Sequence, residues 1–173
     1  MSSEQQQGNQ VWCQVYKAEI DSAAPDPLDP VKRYHDGIFV SLDPKAGKGT
    51  LFHVTGDIIA ARGMFYDEKR DWRPGQSGVL RNLTPIGHVL KSDHDSGRIS
   101  AILSALPTPP KQQGINFWER DPVTNRHEIT WTKEDGELYA PGEPRRPIFK
   151  CNEWTAQHAI PALQNAGILR PWS

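Results

Sequence analysis

The sequence predicts an α+β fold in which a small antiparallel β-sheet packs against a few helices. Three observations support this class. Strand-like segments alternate with turn residues in the first half, an amphipathic stripe covers residues 96–106, and a helical pattern begins at Cys151. With 173 residues, the chain is long enough to bury a core without disulfide bonds. We therefore expect a single domain over residues 10–173.

The strands are predicted from aromatic and β-branched residues bounded by turn chemistry. They comprise residues 11–18, 34–42, 50–57, 63–67 and either 77–83 or 86–90. The second and third strands are the clearest pair, because the intervening segment 43–49 contains a proline, two glycines and two lysines. This segment favours a β-hairpin with a longer loop.

Two helical regions follow from the pattern of apolar residues. Residues 96–106 carry apolar side chains at the spacing i, i+3, i+4 and i+7, and the prolines from Pro107 onward end this helix. The last helical region begins at Cys151 and contains Pro161, which predicts a kink or two consecutive helices. Gly167 is placed to end the second part.

Three segments are predicted to lack regular structure. The polar residues 1–9 read as a disordered tail. Residues 24–30 contain three prolines and form either an ordered connector or a flap over a site. Residues 111–147 are the least regular part of the domain. We expect this part to be held against the core by large apolar side chains, namely Trp118, Trp131 and Leu138.

Composition excludes several classes of function. The formal net charge is −1 and the basic residues are scattered, so a nucleic-acid partner is not expected. Two cysteines do not make a disulfide framework, and the N-terminus has no apolar segment of a secretion signal. No apolar run approaches the roughly 20 residues that span a bilayer. We expect a soluble, cytoplasmic protein without an integral membrane segment.

The candidate chemistry centres on Cys151. A thiol at a helix N-terminus meets the positive end of the helix dipole, which favours the reactive thiolate and predicts a lowered pKa. Alternation along the predicted hairpin places His35 and His53 on one face of the sheet. Because a catalytic triad is defined by geometry and not by chain order, these three residues are candidates for one site.

This pattern resembles the circularly permuted papain-like thiol hydrolases and acyltransferases, the group of lecithin:retinol acyltransferase. The resemblance covers the histidine-bearing hairpin at 34–57 and the cysteine-bearing helix at 150–168, about a quarter of the chain. Both segments are also similar to small uncharacterised fungal proteins. The resemblance implies a permuted papain-like fold whose C-terminal helix carries the nucleophile.

The resemblance also implies roles for individual residues. Cys151 is the expected nucleophile, His35 its general base, and His53 the residue that orients His35. Asn152 and Trp154 are the expected substrate- or oxyanion-binding residues. The substrate is then a small molecule or peptide with an ester, thioester, amide or isopeptide bond, and no cofactor is needed. Trp154 stands where the acyltransferases tend to have a histidine, and we expect no C-terminal membrane anchor of the kind that several lipid-acting members have. Both points count against lipid substrates.

Other interpretations remain open at this stage. Cys151 can be a buried structural thiol, and His53 a hydrogen-bonded core histidine. The three candidates can also hold zinc, although no short Cys-x-x-Cys or His-x-x-x-His pair supports a metal site. A catalytically silent member of the same fold would bind a small molecule or peptide, or shape a reactive small molecule without a covalent intermediate.

Overall fold

The computed structural model of the protein describes residues 10–21 and 25–172, and its main element is a five-stranded antiparallel sheet. The spatial order of the strands is β4-β3-β2-β1-β5. The strands are β1 (Trp12–Ile20), β2 (His35–Asp43), β3 (Lys48–Gly56), β4 (Met64–Trp72) and β5 (Leu80–Leu90).

The helices and a second, two-stranded sheet complete the described fold. They are α1 (Lys91–Asp95), α2 (Arg98–Ser104), β6 (Gln113–Arg120), β7 (His127–Trp131), α3 (Cys151–Glu153), a π-helical segment (Trp154–Ala159) and α4 (Ile160–Asn165). A short 3-10 turn, Pro74–Gln76, lies between β4 and β5. None of the helices in the described ranges has the length and apolarity needed to cross a membrane.

One face of the large sheet is covered by α2 and by the continuous C-terminal helix that comprises α3, the π-helical segment and α4. This face and the helices share one core, whose members include Val15, Ile38, Val40, Phe52, Val54, Val89, Ile99, Leu103, Trp154 and Leu163. The opposite face carries a smaller cluster around Ala18, Phe39 and Leu51. Because side chains alternate along a strand, neighbouring residues of β2 and β3 belong to different clusters.

The α+β class and the antiparallel sheet are confirmed, as is the hairpin between the second and third strands. The two alternative positions for a fifth strand belong to one strand, β5, which has a register shift where it pairs with Val15 and Tyr16. A β-bulge of this kind interrupts alternation, so a continuous strand resembles two short ones in the sequence.

The C-terminal helix begins at Cys151, as the sequence predicts, but a π-helical segment stands before Pro161 in place of the predicted kink or division into two helices. The backbone widens into a π-helical segment over Trp154–Ala159 instead of breaking. A proline lacks the N–H that an α-helix requires, and a wider turn also relieves its contact with the preceding carbonyl groups. Gly167 adopts a positive φ of 71° just after the helix, which is the left-handed conformation of a helix C-terminus.

Two predictions about residues 111–147 are wrong. Trp118 and Leu138 do not pin this segment to the core, because they are 96% and 64% exposed. Trp118 belongs to β6, whose two-stranded sheet has a solvent-facing side, and Leu138 follows a tight turn. Trp131 does pack against the core. The predicted disordered tail, residues 1–9, lies outside the described residues.

Trp154 is buried and Trp118 is exposed, so replacing them with alanine is predicted to have very different effects on stability. Trp154→Ala is expected to lower the free energy of unfolding by about 3–5 kcal/mol, because the indole is fully buried. Trp118→Ala is expected to change it by less than about 0.5 kcal/mol. Equilibrium denaturation in urea measures both values. Similar losses for the two variants would contradict the packing described here.

Candidate active site

Cys151 is the first residue of α3 and meets the chain where β2 begins. Its Sγ lies 3.9 Å from the carbonyl oxygen of Tyr34, which it can donate to, and 3.8 Å from Asn152 Oδ1. The residue is only 7% exposed. The Asn152 side chain donates to the same Tyr34 carbonyl at 2.9 Å. The start of the helix is thus hydrogen-bonded to the residue that precedes His35.

A chain of hydrogen bonds crosses three neighbouring strands. His35 Nε2 on β2 lies 2.7 Å from His53 Nδ1 on β3, and His53 Nε2 lies 2.9 Å from Asp67 Oδ2 on β4. His53 and Asp67 are directly paired across the two strands. The prediction that both histidines share one face of the sheet is therefore confirmed.

Gly37 makes room for the contact between the two histidines. It lies between His35 and Phe39 on the same face of β2. A Cβ atom at this position would approach Leu51 Cδ1 to 2.8 Å and His53 Cβ to 3.2 Å. The absence of a side chain therefore lets His53 sit close against β2.

The histidines and the C-terminal helix are associated with opposite faces of the sheet. His35 and His53 alternate in step with Phe39 and Leu51 of the smaller cluster, whereas the helix packs on the face of Ile38 and Phe52. Among the described residues, Cys151 Sγ makes hydrogen bonds to Tyr34 and Asn152, and it makes none to His35. Cys151 and His35 come together only at the first residue of β2, where both line the same cavity.

A cavity of about 690 Å³ lies at this end of the sheet and is lined by both Cys151 and His35. Apolar side chains line one part of it, among them Val31, Ile58, Ile59, Met64 and Ile129. Another part is formed by residues 25–33, which we call the strap. The described part of the proline-rich segment is therefore both an ordered connector and a wall of this cavity.

Ion pairs hold the strap against the start of the C-terminal helix. Lys150 Nζ donates to Asp26 at 2.6 Å and lies 3.4 Å from Asp29. Arg33 donates to Asp29 and to Glu153, the latter at 2.6 Å. Glu153 also accepts the backbone N–H of Lys150 at 3.0 Å, which satisfies one of the free donors at the helix start. The same carboxylate therefore caps the helix and binds the strap.

The electrostatics differ from those expected for a helix N-terminus. Burial raises the pKa of Cys151 to about 11, although the backbone N–H of Asp36 acts in the opposite direction. Burial also lowers the pKa of His35 to about 4, with further contributions from His53 and Lys69. The predicted lowering of the thiol pKa is therefore wrong, because loss of solvent outweighs the helix dipole. At neutral pH, both Cys151 and His35 are uncharged.

The remaining predicted site residues divide into two groups. Asn152 lines the cavity, but its side chain is occupied by Tyr34 and Arg33. Trp154 does not fit a substrate-binding role, because its indole is fully buried in the core and is absent from the cavity wall. Trp154 begins the π-helical segment, and its ring lies 6.2 Å from that of Tyr66.

Asp67 is the residue that sequence reasoning missed. The sequence predicts a strand at residues 63–67 but does not say which strand it pairs with, whereas the structure pairs β4 with β3. Asp67 could have been found from the alternation of β4 once the pairing with β3 was known. Within the described ranges, no group of three or more His, Cys, Asp or Glu side chains is arranged to hold a metal ion.

Comparison with known proteins identifies the family but not an activity. The chain belongs to a family of unknown function, DUF6540, which matches residues 26–170. No curated protein and no solved structure matches the chain. The matched range includes the strap from Asp26 onward, the three strands of the hydrogen-bonded chain and the whole C-terminal helix.

Lowering the pH is expected to destabilise the protein through His35. Its pKa is about 4 in the folded state and 6.5 ordinarily, so between these values the unfolded chain binds a proton that the folded chain does not. The stabilisation is complete above pH 6.5 and is lost as the pH falls toward 4. His35→Gln should flatten this loss by roughly 1–3 kcal/mol. Urea denaturation from pH 4 to 7 tests this, and parallel profiles for the wild type and the variant would contradict it.

Loss of Lys150 is expected to open the strap. Lys150→Met removes the hydrogen bonds to Asp26 and Asp29, and charged hydrogen bonds of this kind contribute about 1.5–3 kcal/mol. In a Cys13→Ser background, we expect Cys151 to gain about tenfold in its rate with a bulky maleimide relative to N-ethylmaleimide. The ratio of the two rates cancels any change in thiol ionisation.

Lys133→Met is the matched control for this experiment, because Lys133 forms an ion pair with Glu143, and neither residue lines the cavity. Its ratio of rates should equal that of the Cys13→Ser parent. An unchanged ratio for Lys150→Met would show that the strap does not limit access to Cys151.

Proposed function

We propose that the protein is a thiol-dependent acyl hydrolase or acyltransferase of a permuted papain-like type, with Cys151 as nucleophile and His35 as general base. The observation that carries this proposal is that Cys151 and His35 line one cavity while His35 is hydrogen-bonded on its other side to His53. A nucleophile, a base and a residue that orients the base are the parts that acyl transfer through a thiol needs.

The reaction begins from two uncharged groups. Forming a thiolate and an imidazolium from groups with pKa values of about 11 and about 4 costs roughly 10 kcal/mol. Attack is therefore coupled to proton transfer: as Sγ bonds to the carbonyl carbon, its proton passes to His35, directly or through one water molecule. Catalytic hydrogen bonds often shorten only when substrate binds, so the substrate is expected to bring the two groups together.

The second half of the reaction restores the enzyme. The tetrahedral intermediate collapses, the bond to the leaving group breaks, and His35 returns the proton to that leaving group. Water or an acceptor alcohol, thiol or amine then attacks the thioester on Cys151 and loses its proton to His35. The bond between Sγ and the acyl carbon breaks, the acyl product leaves, and His35 returns the proton to Cys151 Sγ. The backbone N–H groups at the start of α3 have no partner within the helix and are suited to stabilise the oxyanion.

The substrate class follows from the bond chemistry and the cavity. An ester, thioester, amide or isopeptide can react in this way, in a small molecule or in the end of a peptide. A volume of about 690 Å³ falls within the range of small-molecule sites. Asp26, Asp29 and Arg33 of the strap are neutralised by ion pairs with one another and with Lys150 and Glu153 at the start of the C-terminal helix. The part of the substrate that binds there is therefore not required to carry a net charge. We place this activity in the cytoplasm.

A second candidate function is that of a catalytically silent member of the same fold. Such a protein binds a small molecule or peptide, or shapes a reactive small molecule without a covalent intermediate. The observation that favours it is the uncharged resting state of Cys151 together with the lack of a hydrogen bond to His35. In this case His35 and its partners would bind or exchange protons with the ligand, and the thiol would only line the cavity.

Trapping the acyl group on the protein separates the two candidates. The Cys13→Ser variant is mixed with p-nitrophenyl acetate at pH 7.5 and followed by release of p-nitrophenol and by intact mass. We expect a burst of p-nitrophenol and one acetyl group per chain, located on Cys151 by peptide mapping. Cys151→Ala should lose both, and His35→Ala should slow the burst by about 100-fold or more.

The outcome that would overturn the covalent mechanism is equally specific. If Cys151→Ala retains ester hydrolysis and no acetyl group is found on Cys151, the thiol is not the nucleophile. If that hydrolysis still depends on His35, the second candidate is the better description. Lys133→Met serves as a control for general effects of surface substitution, since it lies away from the cavity.

A further inference from the structure

The hydrogen-bonded chain of His35, His53 and Asp67 has a defined direction. An ionised carboxylate only accepts hydrogen bonds, so at 2.9 Å from Asp67 the proton belongs to His53 Nε2. In a neutral imidazole the other nitrogen is then an acceptor, which is His53 Nδ1. The 2.7 Å contact with His35 Nε2 therefore requires the proton on His35 Nε2.

The direction of this chain determines the state of the last nitrogen. With its proton on Nε2, neutral His35 has an unshared electron pair on Nδ1. Among the described residues, Nδ1 has no hydrogen-bond partner, and it is not among the fully buried unpaired atoms, so it remains accessible. Since His35 lines the cavity, a proton acceptor is available there.

We propose that Asp67 is a positioning residue which fixes the tautomers of His53 and His35, so that His35 presents Nδ1 as a proton acceptor to the cavity. The tautomers follow from the geometry alone, while the use of Nδ1 as a base rests on the proposed function. Asp67 itself does not touch the substrate. Its effect passes through two imidazole rings and across three strands.

Burial along the chain supports this role. The His53 side chain is only 3% exposed, so its two nitrogens need fixed partners inside the protein. The Asp67 side chain is 41% exposed, so its charge retains contact with water. When His35 takes up a proton, a carboxylate at the far end of the chain provides a negative charge that faces solvent. No buried unpaired charge is then created.

Without the carboxylate, the opposite arrangement of protons becomes possible. An amide at position 67 can donate through its NH₂ group to His53 Nε2, which places the proton on His53 Nδ1. His53 then donates to His35 Nε2, and the proton of His35 moves to Nδ1. In this state the Nδ1 atom of His35 carries a proton, so it is a hydrogen-bond donor toward the cavity and cannot accept a proton there.

The test is long-range ¹H–¹⁵N NMR of the histidine rings at pH 7 in the resting protein. In the wild type we expect the ¹⁵N shift of an unprotonated nitrogen at Nδ1 of both His35 and His53. In Asp67→Asn we expect the population with a protonated His35 Nδ1 to rise to about half or more. A wild-type His35 that carries its proton on Nδ1 would overturn the proposal, whatever the behaviour of the variant.

Asp71→Asn is the matched control. It makes the same chemical change on the same strand. The Asp71 side chain is 84% exposed, and its one ion pair among the described residues, with Lys48, is long at 3.8 Å. Its positive φ of 52° is a conformation that asparagine also adopts readily. The histidine tautomers of this control should equal those of the wild type. An equal change in both variants would also overturn the proposal.

Activity is the second measurement and separates this inference from the proposed function. With p-nitrophenyl acetate, Asp67→Asn should slow acetylation of Cys151 by about 100-fold, while Asp71→Asn should not change it. If the tautomers are as expected but no acetyl-enzyme forms in the wild type, the acyl-transfer proposal fails and the role of Asp67 stands. If Asp67→Asn has the reversed tautomers but acetylates Cys151 at the wild-type rate, acyl transfer stands and the proposal that His35 Nδ1 must be presented as the base is overturned.

Discussion

The antiparallel register of β2, β3 and β4 is the constraint on which the candidate site depends. It pairs His53 with Asp67 and brings His35 within hydrogen-bond distance of His53. A slip of one residue in this register would turn His53 toward the helices and an apolar neighbour toward His35. This register also places Phe52 in the main core and Leu51 in the smaller cluster, and it sets Gly37, which has no side chain, against Leu51 and His53.

Loss of solvent dominates the electrostatics of the site. It acts on the thiol and on the imidazole in the directions that keep each uncharged, and it exceeds the effect of the helix start on Cys151. The groups that join the strap to the helix start keep their charges instead. Asp26, Asp29 and Arg33 of the strap remain paired with one another and with Lys150, because partly buried charges require partners. The cavity is thus lined by an uncharged thiol and imidazole, Cys151 and His35, and by charged strap residues that are neutralised in ion pairs.

The parts of this structure that depend on local pattern were predictable from the sequence. The hairpin, the shared face of the two histidines and the start of the helix at Cys151 each follow from periodicity or from turn chemistry. Asp67 was not predictable, because its role depends on a strand pairing that no local pattern fixes. The pKa of Cys151 was misjudged for a similar reason: the helix dipole is visible in the sequence, whereas burial depends on the whole fold. Trp118 and Trp154 could not be distinguished, since hydrophobicity alone does not say which side of a sheet or helix meets the core.

The long separation between the strands and Cys151 has a consequence for biosynthesis. His35, His53 and Asp67 leave the ribosome more than eighty residues before Cys151 does. At about 5–20 residues per second, this delay is roughly 4–17 seconds. During this time the face of the sheet that carries Phe52 lacks its covering helix, and exposed apolar surface of this kind promotes aggregation. The nascent chain therefore depends on rapid completion, or on a chaperone, until its last helix arrives and brings the thiol with it.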